Sequence, residues 1–285
     1  MPRHVVLCAD DFGLTQGVSE GILELCHKGR LSATGAMTNR PWWPRLAAEL
    51  HAFEGRVAVG LHLNLSTGAP LAPMPHFAPH GRFPPFAATL KRALGRALPA
   101  DEIAAEIARQ IEAFAAAFGR PPDFVDGHQH VHVLPGIRGA LLRVLDRLPR
   151  GPGFWIRDPS ERVGAILGRG VSVQKALIVR GLATGLRRAA RRRGIDTNEG
   201  FSGFSPFDQT LEAEVERLFE RSLDRLGRRP VVMCHPGRPD GELAGLDPVT
   251  DTRAHELAYL ASPAFGALLA ERDIVLAPRP TAPMT

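Results

Sequence analysis

Two carboxylates stand side by side where an apolar run stops: Val5-Val6-Leu7-Cys8-Ala9 leads directly into Asp10-Asp11-Phe12-Gly13. Ionised groups at the edge of a core lose hydration and repel each other, so they persist where a metal, a proton or a cationic partner compensates them. We take a metal as the compensator. Taken alone, the pair could equally open a turn and cap the helix that begins near Thr15. Residues further along tip the balance. The run from Val57 to Leu65 carries His62, and the segment from Asp123 to His132 carries His128, His130 and His132 at alternate positions. Read as a strand, that second segment puts three imidazoles on one face. A single histidine in such a run is most often a satisfied core residue, but three runs each delivering Asp or His at the same kind of position are hard to explain that way. One carboxylate and two imidazoles make a mixed nitrogen and oxygen site with positions left open for water. Two further apolar runs end in a polar residue, Phe154-Trp155-Ile156 in Arg157 and Pro230-Val231-Val232-Met233-Cys234 in His235.

The elements that position these residues read as alternating strands and helices. Strands are expected at Val5–Ala9, 31–39, 57–65, 123–132, 154–157, 200–205, 230–237 and 274–276. A helix follows the first strand, with Thr15 as N-cap and Gly29 as its stop. Ile103, Ile107, Ile111, Phe114 and Phe118 mark the clearest amphipathic helix, ended by Gly119 and Pro121-Pro122. Other helical stretches carry Leu46 and Leu50, Ile137 to Leu148, Leu211 to Leu226, and 257–269 with a break near Pro263. Seven or eight apolar strands alternating with helices argue for parallel βα units. In a parallel sheet the carboxyl ends of the strands converge on one rim, and Asp10, Asp11, His62, His128, Arg157 and His235 all fall at such ends. Residues 66–99 are rich in Pro, Gly and Ala without a clear period and read as a lid or a tolerated surface insertion, with a short helix near 87–94.

The 285 residues suffice for one large α/β domain or two small ones, and 44% hydrophobic with 23% charged residues is the balance of a globular protein rather than a disordered one. No apolar run reaches the roughly 18 to 20 residues of a membrane span, and Met1-Pro2-Arg3-His4 leads into a strand without a signal-peptide layout, so the cytoplasm is the expected location. Cys8, Cys26 and Cys234 lack metal-type spacing and suit reduced core thiols. The net charge of +5 is local: Arg169, Lys175, Arg180, Arg187, Arg188, Arg191, Arg192 and Arg193 share a stretch without Asp or Glu. On a helix, Val179, Leu182, Leu186 and Ala189 would be buried and the arginines would form a solvated face, or a surface for an anionic partner such as a phospholipid surface or polyphosphate.

Four motifs in order, Ala9-Asp10-Asp11-Phe12-Gly13-Leu14, Gly60-Leu61-His62-Leu63, Asp126-Gly127-His128-Gln129-His130-Val131-His132 and Met233-Cys234-His235-Pro236, resemble the YdjC-like carbohydrate deacetylase family over nearly the whole chain. Both its chito-oligosaccharide and its hopanoid-associated branches are compatible. The resemblance implies a single-domain, irregular (β/α) TIM-like barrel over residues 1–285, with a basic helical insertion around 169–194, that removes the acetyl group from an N-acetylated sugar or glycoconjugate. It implies Asp11, His62 and His128 as metal ligands, Asp10 as general base, and His235 as general acid or oxyanion helper. Arg157 could hold Asp10 ionised, receive acetate or form a structural salt bridge; His130 and Trp42 are candidate sugar contacts, with core or loop packing as the alternative for Trp42, Trp43 and Phe83. The family expectation for the metal is magnesium, whereas two imidazoles favour zinc, manganese or cobalt. A homodimer is a family-based expectation, nucleic acid is not an expected partner, and membrane contact would be confined to the surface. The competing readings are a phosphoester hydrolase on the same barrel, which would want a richer ligand set, and a non-catalytic binder of anions through the arginine-rich segment.

Overall fold

The computed structural model describes residues 2–281. Its strands are β1 (Arg3–Phe12), β2 (Ala33–Ala36), β3 (Ala58–Leu63), β4 (Phe124–Gly127), β5 (Trp155–Ile156), β6 (Asp196–Thr197), β7 (Phe201–Ser202), β8 (Val231–Cys234) and β9 (Ile274–Leu276). Eight of them hydrogen-bond in the order β6-β5-β4-β3-β2-β1-β8-β7, and β9 pairs with the start of β1. Every pairing between these strands is parallel. Connectivity forces this sheet to curl. Flat, its outer strands would lie roughly 34 Å apart at the usual strand spacing, yet only residues 198–200 link β6 to β7, a span of roughly 14 Å at full stretch. The result is a curled half-barrel: the alternation of elements predicts its parallel βα units, and the family resemblance its irregular TIM-like form.

Strand alternation sorts the core into two layers. Val6 and Cys8 of β1 pack inside the barrel with Phe124, Trp155, Phe201 and Met233. Val5, Leu7 and Ala9 face the surrounding helices and join the larger cluster. Inside, Phe124 stacks on Trp155 at 4.5 Å, and a Cβ at Gly60 would lie 2.5 Å from the Phe124 ring. The first helix, Gln16–His27, begins where Thr15 accepts from the Val18 amide, and Gly29 at φ +65° follows its end. The long helix Ala100–Phe118 is closed by left-handed Gly119. Pro263 interrupts the last helical stretch, leaving Asp251–Ala261 and Pro263–Glu271.

Three sequence expectations need correction. The histidine-rich segment is not a strand to His132: β4 stops at Gly127, and a 3-10 turn (His128–Val133) follows in which Gln129 and His130 have φ of 51° and 58°. Alternation therefore does not apply, and the three histidines point to different places. The basic stretch is not one amphipathic helix: Arg169 ends the helix Val163–Arg169, and two short helices follow, Val173–Leu182 and Leu186–Arg191, with left-handed Gly170 and Gly185 at the breaks. Nor are all its arginines solvated, since Arg169 is buried against Glu161 at 2.9 Å. The two-residue β6 was too short to register in the sequence. Within 66–99 the chain forms one helix, Phe86–Leu94.

Candidate active site

In a regular strand Asp10 and Asp11 would point to opposite faces. Asp10 shares the inward face of Val6 and Cys8. Asp11 reaches the same rim because the β1–β2 register shifts between Ala9 and Phe12 and Asp11 itself adopts φ 74°. A local irregularity of this kind re-aims a side chain, and Asp tolerates the left-handed region better than most residues. The neighbours thereby enter one site with different partners.

Asp11 Oδ1 accepts from His128 Nδ1 at 2.9 Å and lies 3.3 Å from His62 Nε2, while Asp11 Oδ2 accepts from Arg253 at 2.6 Å. Burial works to raise this carboxyl, but His128 and Arg253 outweigh it and hold it well below the usual range. The other ring nitrogen of His62, Nδ1, donates to Asp126 Oδ1 at 2.7 Å, so Nε2 is the atom turned towards Asp11. Flanked by carboxylates, His62 is raised to about 10 against the lowering effect of burial, chiefly by Asp126 and Asp10.

Asp10 is gripped by Arg157, whose Nη1 and Nη2 donate to its two oxygens at 2.7 and 2.6 Å. Arg157 is fully buried, and Nη2 also lies 2.5 Å from Asp126 Oδ2 and donates to Cys8 Sγ at 3.0 Å. Burial raises the Asp10 carboxyl, with Arg157 opposing. His235 Nε2 stands 4.0 Å from Asp10 Oδ2, its backbone N–H donates to Glu256 at 2.6 Å, and burial keeps its imidazole well below the ordinary value. The sequence placed these residues at strand ends, and the fold brings Asp10, Asp11, His62, His128, Arg157 and His235 together. His130 lines the same cavity, edge-on to Phe201 and Phe204. His132 sits lower, donating from Nε2 to the Arg157 carbonyl at 2.9 Å, and burial pushes it down to about 4. Trp42 does not line the cavity; its indole N–H donates to Glu242 at 2.8 Å and Arg45 lies over its ring. Trp43 is core, stacked on Phe114.

Three residues that hold the site were given no role from the sequence. Asp126 was within reach, lying two places before His128. Arg253 and Glu256 had no local signal: they are buried charges on the helix Asp251–Ala261, more than 240 residues from β1 in the chain, and only the folded structure shows what they touch.

Asp11, His62 and His128 offer one oxygen and two nitrogen donors that all lie within 4.8 Å of one another. Their chemistry fits a divalent cation: a mixed donor set, buried, with the far nitrogen of His62 held by a carboxylate as metal-binding imidazoles usually are. Among the described residues a second group, Cys8, Asp10 and Asp126, has similar spacing. Its centre is already filled, because the Arg157 guanidinium touches all three. A cavity of about 630 Å³ opens above the site. Its upper wall is apolar, with Phe86 and Leu90 from the 66–99 insertion and Ile178 and Leu182 from the basic segment.

Fold and site define a parallel α/β barrel with a mixed carboxylate and imidazole centre on its carboxyl rim. The chain belongs to the YdjC-like protein family, whose model matches residues 4–271. The chitooligosaccharide deacetylase of Klebsiella pneumoniae (strain 342) is 32% identical over 276 residues, 95% of this chain and 96% of that one. The protein of the same name from Citrobacter koseri is 30% identical over 282 residues, with the same coverage. Among solved structures, an Enterococcus faecalis V583 protein named for cellobiose-phosphate cleavage superimposes with a TM-score of 0.72 at 21% identity, over 97% of both chains. The catalytic domain of a peptidoglycan N-acetylglucosamine deacetylase from Eubacterium rectale gives 0.51 at 11% identity, over 100% of this chain and 92% of that one. Both share the fold. Among the described residues no helix is long and apolar enough to cross a membrane.

Proposed function

We propose that this protein is a metal-dependent hydrolase that removes the acetyl group from an N-acetylated sugar, either a chito-oligosaccharide or an N-acetylglucosaminyl glycoconjugate. The observation that carries the reading is the division of labour at the rim: Asp11, His62 and His128 converge as a donor group, while Asp10 and His235 stand beside it without belonging to it. The names of the full-length relatives support the same chemistry.

A divalent ion held by Asp11, His62 and His128 would polarise the acetyl carbonyl and acidify the attacking water. Two imidazoles in that set favour zinc, manganese or cobalt over the magnesium expected for the family. Asp10 is the general base. Arg157 fixes both of its oxygens, so the carboxylate presents one orientation, and burial makes it a stronger base than an exposed aspartate. His235 rests neutral and can act as an acid only after taking up a proton. Asp10 Oδ2, 4.0 Å from Nε2, is placed to supply it, and the departing amine nitrogen is where it goes. We read the 66–99 insertion as a substrate-contacting element, a reading that Phe86 and Leu90 in the cavity wall support.

The test is acetate release from chito-oligosaccharides and from an acetylated glucosaminyl lipid, with and without chelator. Asp10→Asn should keep its metal and lose at least about 100-fold in turnover, whereas His128→Ala should lose both. Full activity in Asp10→Asn would sink the assignment of the base. A phosphoester hydrolase with two metals is the competing reading, and metal content decides: one ion per chain is expected, because Arg157 fills the only other donor group among the described residues.

A further inference from the structure

A second cavity, of about 1220 Å³, has no lining residue in common with the first. Eight arginines line it against three carboxylates. Two of those carboxylates are buried and already paired, Asp158 with Arg187 at 3.2 Å and Glu161 with Arg169 at 2.9 Å. The third, Glu199, lies in the link between β6 and β7. On the arginine side, Arg3 and Arg180 spend hydrogen bonds on the backbone carbonyls of Leu226 and Glu161. Arg188, Arg192 and Arg228 are exposed and have neither an ion pair nor a side-chain hydrogen bond among the described residues.

Local structure explains the cluster. In the helix Leu186–Arg191 the buried residues are Leu186 and Ala190, which leaves Arg188 and Arg191 exposed, and Arg192 follows them, also exposed, at the C-cap. Arg228 joins them from the turn before β8. Grouped cations with few carboxylates repel one another and attract an anion. The guanidinium fork matches phosphoryl oxygens in pairs and remains charged at any working pH. The site is a concavity and not a ridge, which suits a compact, densely charged group better than a duplex.

We propose that this cleft binds a compact phosphoryl polyanion, with Arg188, Arg192 and Arg228 as the free forks that hold it. The inference does not depend on the deacetylase reading. It is tested with full-length protein by calorimetric titration of sodium tripolyphosphate, and by flotation with vesicles of phosphatidylglycerol or of phosphatidylcholine. Saturable binding is expected, weakened at least tenfold in the triple variant Arg188→Gln, Arg192→Gln, Arg228→Gln, with circular dichroism and acetate release unchanged because all three side chains are exposed and outside the other cavity. Tripolyphosphate binding without flotation identifies a soluble ligand; flotation on phosphatidylglycerol alone, displaced by tripolyphosphate, identifies a lipid headgroup. The proposal is overturned if neither probe binds, if the triple variant binds as tightly as the parent, or if duplex DNA binds more tightly than tripolyphosphate.

Discussion

At the scale of single residues, Arg157 separates two adjacent aspartates by holding one of them. Asp10 receives a two-pronged cation and Asp11 faces the imidazoles, so side-by-side carboxylates acquire different chemistry from different neighbours. Asp126 serves both groups, accepting from His62 and lying against Arg157. Asp126→Asn should therefore lower divalent-metal affinity by about 10 to 100-fold, read by titration against a competing chelator, with the fold retained by circular dichroism. Glu256 makes a prediction about pH. Burial raises its carboxyl to about 7, against the lowering effects of the His235 amide and Arg253. Below the unfolded value near 4.5 the group is protonated in both states and carries no penalty. As pH rises from 4.5 to 7 the unfolded chain ionises first, and folding loses up to about 3 kcal/mol, a loss that stays constant above 7. Glu256→Gln, whose amide oxygen can still accept from His235, should raise Tm at pH 8 and leave it unchanged or lower at pH 4. An equal shift at both pH values would contradict this.

At the scale of elements, strands supply the site and one distant helix locks it. β1 delivers both aspartates only because its register slips between Ala9 and Phe12. β2 contributes by what it lacks: a Cβ at Gly35 would meet His62 Nδ1 at 3.1 Å and Asp126 Oδ1 at 3.2 Å. Gly35→Ala should displace that hydrogen-bonded pair, so metal affinity and turnover fall by more than the loss in Tm would suggest, which paired metal titration and melting curves will show. The first helix gives a contrasting case. Thr15 accepts from the Val18 amide and bonds to none of the three donor residues, so Thr15→Ala should cost about 1 kcal/mol in denaturant unfolding and leave metal affinity unchanged.

At the scale of the molecule, the donor group ties together parts of the chain that are far apart in sequence. Asp11 comes from β1, His62 from β3 and His128 from the turn after β4, and Arg253 connects Asp11 to a helix near the other end of the chain. An unfolded chain holds no such constellation, so an ion that binds it stabilises the native state alone. At a free-ion concentration of 100 times Kd the gain is about 2.7 kcal/mol. Zinc or manganese should therefore raise Tm in the parent protein and not in His128→Ala, as differential scanning calorimetry would register. The same gain in both would place the ion elsewhere.

The parallel alternation of strands and helices was legible in the sequence because its causes are local: apolar runs of strand length, helices with visible caps at Thr15 and Gly119, and polar residues repeatedly placed where those runs end. Those cues were enough to put Asp10, Asp11, His62, His128, Arg157 and His235 on one rim before any contact was known. Side-chain direction was not legible. The segment from Asp126 to His132 alternates like a strand, but Gln129 and His130 take left-handed conformations and send His132 beneath the site to the Arg157 carbonyl. The partners of the aspartates were equally hidden. Arg157 and Arg253 find Asp10 and Asp11 across 147 and 242 residues of sequence, and pairing over such separations is fixed by how the sheet closes, which short-range patterns do not encode.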